Sequence, residues 1–190
     1  MKKAVILGGT FDPPHLGHLR ILKEARVAVS ADKAFMIPTY TPPHKSANGV
    51  SSAEKRLDMC RVAAESIGAT VLDIEIKRGG KSYTVDTLEE LEKLYPGYEF
   101  YLVMGSDMLA TLPTWRRYDE ILRRTKIVAF MREGVTFEQL EEFAEAVRKD
   151  GGEVILLDTK PDGISSTNIR NRLKKGQDVS CMLPGGLTLD

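Results

Sequence analysis

Cysteine is scarce: the 190 residues hold two, Cys60 and Cys181, far apart and in no C-x-x-C pair. That excludes a zinc ribbon and a disulfide-built scaffold, and fits a reduced, cytoplasmic setting. Neither charge sign dominates, since Lys+Arg and Asp+Glu are 27 each. A zero net charge argues against a general nucleic-acid binder but leaves room for a local basic site that takes a phosphate. Long apolar runs are missing too. The first, Ala4–Leu7, falls short of the roughly 7–15 apolar residues of a signal peptide, and no run approaches the ~20 that cross a membrane. Repeats and low-complexity tracts are absent. What remains is ordinary for a soluble globular protein: 42% hydrophobic and 28% charged residues. The length suits one domain over residues 1–190, with enough buried surface to need no staple.

Short apolar runs alternate with helical patterns from end to end. Ala4–Leu7, Phe35–Ile37, Val71–Ile76, Phe100–Met104, Ile127–Met131 and Val154–Leu157 read as buried strands. Leu57, Cys60, Ala64 and Ile67 share one helix face, with Ser51-x-x-Glu54 as a capping box. Val85, Leu88, Leu91 and Tyr95 form a second stripe, stopped by Pro96-Gly97, and Phe137, Leu140, Phe143 and Val147 a third, stopped by Gly151-Gly152. A further helix starts near Thr167 and carries Ile169, Arg170 and Leu173. This alternation predicts an α/β fold: a doubly wound, Rossmann-like, mostly parallel sheet with helices on both faces. Sites in such sheets lie beyond the carboxyl ends of the strands, near a topological switch point. Thr39–Val50 is the longest irregular loop, and is expected to order on substrate binding.

The strongest chemical signal is Gly8-Gly9-Thr10-Phe11-Asp12-Pro13-Pro14-His15-Leu16-Gly17-His18, which joins a strand to a helix. Paired glycines let the backbone approach a ligand closely. His15 and His18, three apart, share a face of the first helical turn, where free N–H groups already attract anions. Gly17 removes a side chain that would stand between ligand and helix. Two imidazoles there suit a phosphate. A metal site would need further ligands that do not lie nearby, and plain core or surface histidines are the remaining reading. The stretch is not G-x-G-x-x-G, and Gly80-Lys81-Ser82 lacks the earlier glycine of a Walker A loop, with Glu75 in its place. A second signal is Ile164-Ser165-Ser166-Thr167-Asn168-Ile169-Arg170. Hydroxyls, free N–H groups and a guanidinium at a helix start form an anion cradle. Ordinary N-capping would need only one of the hydroxyls.

Together with Pro42-Pro43-His44-Lys45, Ser82-Tyr83-Thr84-x-x-Thr87-Leu88, Gly105-Ser106-Asp107 and Pro113-Thr114-Trp115, these two stretches resemble the H-x-G-H nucleotidyltransferase superfamily. Their order over roughly residues 3–184 is similar to that of bacterial nicotinate-nucleotide adenylyltransferases. The resemblance implies transfer of an adenylyl group from ATP, with Mg²⁺, to nicotinate mononucleotide, giving deamido-NAD and pyrophosphate in NAD biosynthesis. It implies that His15, His18 and Arg170 are catalytic. ATP would be lined by Gly8, Gly9, Thr10, Phe11, His15, His18, Gly105, Asp107, Ile164, Ser166, Thr167 and Arg170. The mononucleotide would meet His44, Lys45, Thr84, Trp115 and Arg132. No dedicated metal site is expected, because phosphate oxygens and water hold Mg²⁺. The nucleophile is an already anionic phosphate oxygen, so the work is alignment and charge stabilisation, without a general base.

Blander roles stand beside these. Thr84 could cap its helix, Trp115 could be core, Lys45 could be a solvated charge, and Cys60 falls on an apolar stripe. The run Arg170, Arg172, Lys174, Lys175 could be mostly a wet helix face. The rivals are a sister enzyme for nicotinamide mononucleotide or another phosphate acceptor, a catalytically dead nucleotide-binding protein, and a tRNA-synthetase-like module. The last would need a Lys-rich second motif that the chain does not carry. The expected partners are small molecules, with neither nucleic acid nor membrane, and a homo-oligomer is compatible with the sequence. One departure stands out. Family members usually continue past Leu-Pro into a short helix, whereas Leu183-Pro184 leads into residues 185–190, a glycine-rich tail too short for one.

Overall fold

The computed structural model describes residues 1–41, 50–159 and 162–189. Six strands form one parallel sheet: β1 (Lys2–Gly9), β2 (Lys33–Pro38), β3 (Thr70–Val71), β4 (Tyr98–Gly105), β5 (Thr125–Phe130) and β6 (Val154–Leu157), in the order β3-β2-β1-β4-β5-β6. The chain winds outward from β1 to β3, then crosses back to β4 on the other side of β1. The topological switch point therefore lies between β1 and β4.

The side-chain alternation of β1 divides the core in two. Ala4 and Ile6 face one side, with Phe35, Phe100, Leu102 and Ile127. That side is covered by α3 (Ile74–Arg78), α4 (Thr84–Leu94), α5 (Ser106–Thr111), α6 (Tyr118–Arg124) and α7 (Phe137–Lys149). Val5 and Leu7 face the other side, with Met36, Tyr101, Val103 and Val128, under α1 (Leu16–Ala28) and α2 (Ala53–Glu65). Cys60 of α2 is fully buried there, and the cost of charging it out of water pushes its thiol up to about 12, against the pull of Arg56. Cys181 is exposed. The last α-helix, α8 (Ser166–Lys174), packs through Ile169 onto Val179, Met182 and Leu183. Leu187 and Leu189 lean on the same cluster without forming a helix.

Three details differ from the sequence reading. The expected strand Val71–Ile76 is only Thr70–Val71, after which Ile74–Arg78 turns helical. Its β-branched residues serve a helix because β3 is an edge that pairs with β2 at two positions only, while Lys77 closes a helical turn onto Asp73 through both backbone and side chain. The cap of α2 is Ser52, whose hydroxyl accepts from the Lys55 N–H, and not Ser51. Ser51 is drawn away by the carboxylate of Asp12. The stripe of α7 buries Leu140, Ala144 and Val147, while Phe137 at its first position stays exposed.

Candidate nucleotide site

The β1 strand ends at Gly9, and α1 begins seven residues later with His15 as its N-cap. His15 and His18 are therefore N-cap and N3, the two positions that reciprocate in a capping box. The His15 backbone N–H donates to His18 Nδ1 at 3.2 Å. That fixes Nδ1 as an acceptor and puts the His18 ring proton on Nε2, where it is a donor. The two rings stack with centroids 3.6 Å apart. His15 is buried, and its Nδ1 meets no hydrogen-bond partner among the described residues. Burial lowers its pKa to about 4; Asp162 pulls it upward and Arg132 pushes it further down. At neutral pH His15 is an uncharged imidazole.

The glycines act by steric clearance. A Cβ on Gly9 would meet the Phe11 ring at 3.0 Å. Phe11 itself adopts a left-handed backbone, φ 51°, which packs its ring edge-on against His18 at 4.9 Å. A Cβ on Gly17 would stand 3.0 Å from His15 Nδ1 and 3.1 Å from an Asp162 oxygen. Gly17 thus makes room for His15 and Asp162, rather than only for a ligand as the sequence suggested. Gly8 faces open space.

Residues 164–170, far away in sequence, dock on this turn. Ser165 caps α8 by accepting from Asn168 N–H, which frees the next two hydroxyls from that duty. Ser166 Oγ donates to the Pro13 carbonyl at 2.8 Å. Arg170 Nη1 donates to the Asp12 carbonyl, and Nη2 to Thr167 Oγ1 at 3.3 Å. These contacts use only part of the guanidinium's donor set. The starts of α1 and α8 are so held together, with Arg170 beside the histidine turn.

Gly105 ends β4 and caps α5. A Cβ there would come within 2.6 Å of Asp107 and 2.8 Å of the Arg132 Nε, so only glycine fits without moving that pair. Asp107 and Arg132 form an ion pair at 3.5 Å, and the Arg132 N–H donates to Ser106 Oγ at 3.1 Å. Arg132 thus stands against Gly105 and Asp107, and its charge reaches His15.

Thr84 is the first residue of α4, whose N-cap is Tyr83, so Thr84 does not cap the helix. Trp115 is half-buried against the core. The neighbours of these two residues touch: the Arg116 guanidinium lies 4.7 Å over the Tyr83 ring. His44 and Lys45, with the rest of 42–49, lie outside the described residues. Among the described residues no group of three or more His, Cys, Asp or Glu comes together to hold a metal ion.

Sequence reasoning missed Asp12, Arg56 and Asp162. Arg56 did leave a trace. It stands four residues before Cys60, on the face of α2 that is otherwise apolar, and it is 1% exposed. A cation on an apolar stripe signals a buried acceptor set.

A family model described as cytidylyltransferase-like matches residues 6–172. A protein named probable nicotinate-nucleotide adenylyltransferase from Shouchella clausii is 42% identical over 180 residues, 94% of this chain and 88% of that protein. One of the same name from Oceanobacillus iheyensis is 40% identical over 97% of this chain and 91% of its own length. Among solved structures, a Plasmodium falciparum nicotinic acid mononucleotide adenylyltransferase complexed with APC superposes with a TM-score of 0.73 at 18% identity, over 95% of this chain and 88% of that one. The same enzyme complexed with NaAD gives 0.72 at 19% identity, over 94% and 87%. At that identity the likeness is one of fold.

Proposed function

The chain belongs to the cytidylyltransferase-like family and, within it, to the nicotinate-nucleotide adenylyltransferases, and from that premise we propose how its residues divide the reaction. The enzyme joins ATP and nicotinate mononucleotide into deamido-NAD and releases pyrophosphate. A phosphate oxygen of the mononucleotide attacks the α-phosphorus of ATP. One P–O bond forms as the bond to the β-phosphate breaks, and the electron pair leaves with pyrophosphate.

The observation that carries the assignment is the docking of α8 on the β1–α1 turn through Ser166–Pro13 and Arg170–Asp12. It gathers His15, His18, Thr167 and Arg170 at two adjoining helix starts, where N–H groups and dipoles favour anions. His18 and Arg170 donate to the charge that develops at the α-phosphorus and on the leaving group. Gly8, Gly9, Thr10 and Phe11 line the same turn, and Ile164, Ser166 and Thr167 line the opposite start. Gly105 and Asp107 take the adenosine. Thr84 and Trp115 flank the nicotinate ring, and His44 and Lys45 meet the mononucleotide phosphate. Arg132, paired with Asp107, is assigned to the mononucleotide side. This donor set of imidazole, guanidinium and backbone N–H suits phosphate oxygens better than a bare cation. Mg²⁺ carried on the triphosphate would supply charge neutralisation there, with these residues meeting the remaining phosphate oxygens. Soluble nucleotide substrates fit a cytoplasmic location, and among the described residues no helix is long and apolar enough to cross a membrane.

Pyrophosphate release from ATP and Mg²⁺, with nicotinate or nicotinamide mononucleotide in parallel, tests the reading. The expected result is release with the nicotinate form alone. Comparable kcat/KM for both forms would overturn the acceptor assignment and keep the chemistry. ATP binding without release would identify a dead site.

A further inference from the structure

Arg56 gives its donors to three backbone carbonyls from separate stretches of the chain. Nη1 reaches Thr10 O at 2.8 Å, Nη2 reaches Tyr40 O at 3.0 Å, and Nε reaches Ser51 O at 3.1 Å. Among the described residues no carboxylate lies within ion-pair distance of it. A buried cation tied only to carbonyls is an expensive way to hold a fold, since apolar packing would serve α2 as well. What the guanidinium does and no apolar residue could do is tie three backbone carbonyls from two loops at once.

Thr10 belongs to the turn assigned to ATP. Tyr40 and Ser51 frame the stretch that contains His44 and Lys45. The Asp12 carboxylate adds a second tie to the same frame, accepting from the Ser51 N–H at 3.2 Å, while its carbonyl accepts from Arg170. Tyr40 is held from both sides: its N–H donates to Ser82 Oγ at 3.1 Å, and its carbonyl accepts from Arg56. We propose that Arg56 is a positioning residue for adenylyl transfer, setting the separation between the ATP turn and Tyr40 and Ser51, which flank in sequence the stretch assigned to the acceptor phosphate. The proposal rests on the assignment of His44 and Lys45 to that phosphate. The ATP turn has other supports, namely Phe11 packing, Ser166 on Pro13, Arg170 on Asp12, and the Thr39 N–H on the Gly9 carbonyl at 2.9 Å. Among the described residues Ser51 keeps its N–H on Asp12, and Tyr40 keeps Ser82 Oγ, with the Ser82 N–H on the neighbouring Thr41 carbonyl. The acceptor side is therefore where loss of Arg56 is felt.

The test uses the full chain carrying Arg56→Lys, which keeps the charge but cannot span three carbonyls, and separately Ser82→Ala. Initial rates are measured against each substrate, and ATP binding is measured by calorimetry. Arg56→Lys is expected to raise KM for nicotinate mononucleotide by about tenfold or more while ATP affinity stays within about threefold. Ser82→Ala moves the same KM in the same direction, by about threefold. A merely structural arginine would lower kcat in step with the folded fraction and leave both KM values alone, and that result overturns the proposal. Equal weakening of both substrates overturns it too. If Arg56→Lys does not fold, Ser82→Ala decides, and an unshifted KM sinks the idea. Wild-type enzyme that fails to use nicotinate mononucleotide would remove the assignment beneath the proposal. Wild-type turnover with unshifted variants removes the proposal alone.

Discussion

His18→Ala is expected to lower kcat and kcat/KM together, by about 100- to 1000-fold, the usual loss when one preorganised donor to a developing oxyanion is removed. The reasoning begins with the tautomer. The His15 N–H occupies His18 Nδ1, so the ring proton sits on Nε2 without any need for a charged imidazole. The ring is held at the start of α1 by stacking on His15 and by the edge of Phe11. Alanine deletes that donor, together with the Nδ1 that accepts from the His15 N–H. His18→Gln, which restores an N–H at comparable reach, should recover part of the rate. His18 is only partly buried, so the melting temperature should move by no more than a few degrees, roughly a 1 kcal/mol effect. A folded His18→Ala enzyme with normal turnover would refute the role.

The second large effect concerns His15 and acid. In the folded chain it stays neutral down to about 4, while the unfolded chain protonates it near 6.5. Between those values the unfolded state binds more protons, so stability is lost as the pH falls through that window. The full difference amounts to about 3 kcal/mol, of which roughly 2 kcal/mol is gone by pH 5, above most carboxylate titrations. Urea unfolding at pH 7.5 and pH 5 should show that drop in the wild type and a much smaller one in His15→Gln. Equal drops would mean that His15 is not the group responsible. Binding a triphosphate beside the ring should raise its pKa. Calorimetry in buffers of different ionisation enthalpy near pH 5.5 should then register more proton uptake with ATP in the wild type than in His15→Gln.

The parallel sheet and its switch point were legible because both depend on coarse periodicity. Four of the six strands ran within one or two residues of their apolar cores, and Val154–Leu157 matched outright. The short helices α3, α5 and α6 were not legible. Each is too brief for a repeating stripe, and α6 begins after Arg117, whose left-handed φ of 56° is sustained by ion pairs to Glu89 and Glu120 rather than by a local signal. In the site, the histidine turn and the serine-rich start of α8 could be read because their chemistry is compressed into adjacent residues. The ties between them could not. Asp12 and Arg56 act through backbone carbonyls and amides, which carry no sequence identity, and their partners lie up to 158 residues away. The pairing of Asp107 with Arg132 was hidden for the same reason: each looked like a separate binding residue, and only the fold sets them side by side.

The two cysteines have a practical consequence. Cys181 is in solvent, while Cys60 is sealed between α2 and the sheet with a thiol that resists ionisation at any physiological pH. A maleimide should therefore modify the native chain once, at a position on the turn that follows α8, and a dye placed there sits beside the element that carries Arg170. A second modification requires α2 to lift from the sheet. The slow appearance of doubly labelled protein is then a clock for the opening of that one helix, readable by mass without any engineered residue.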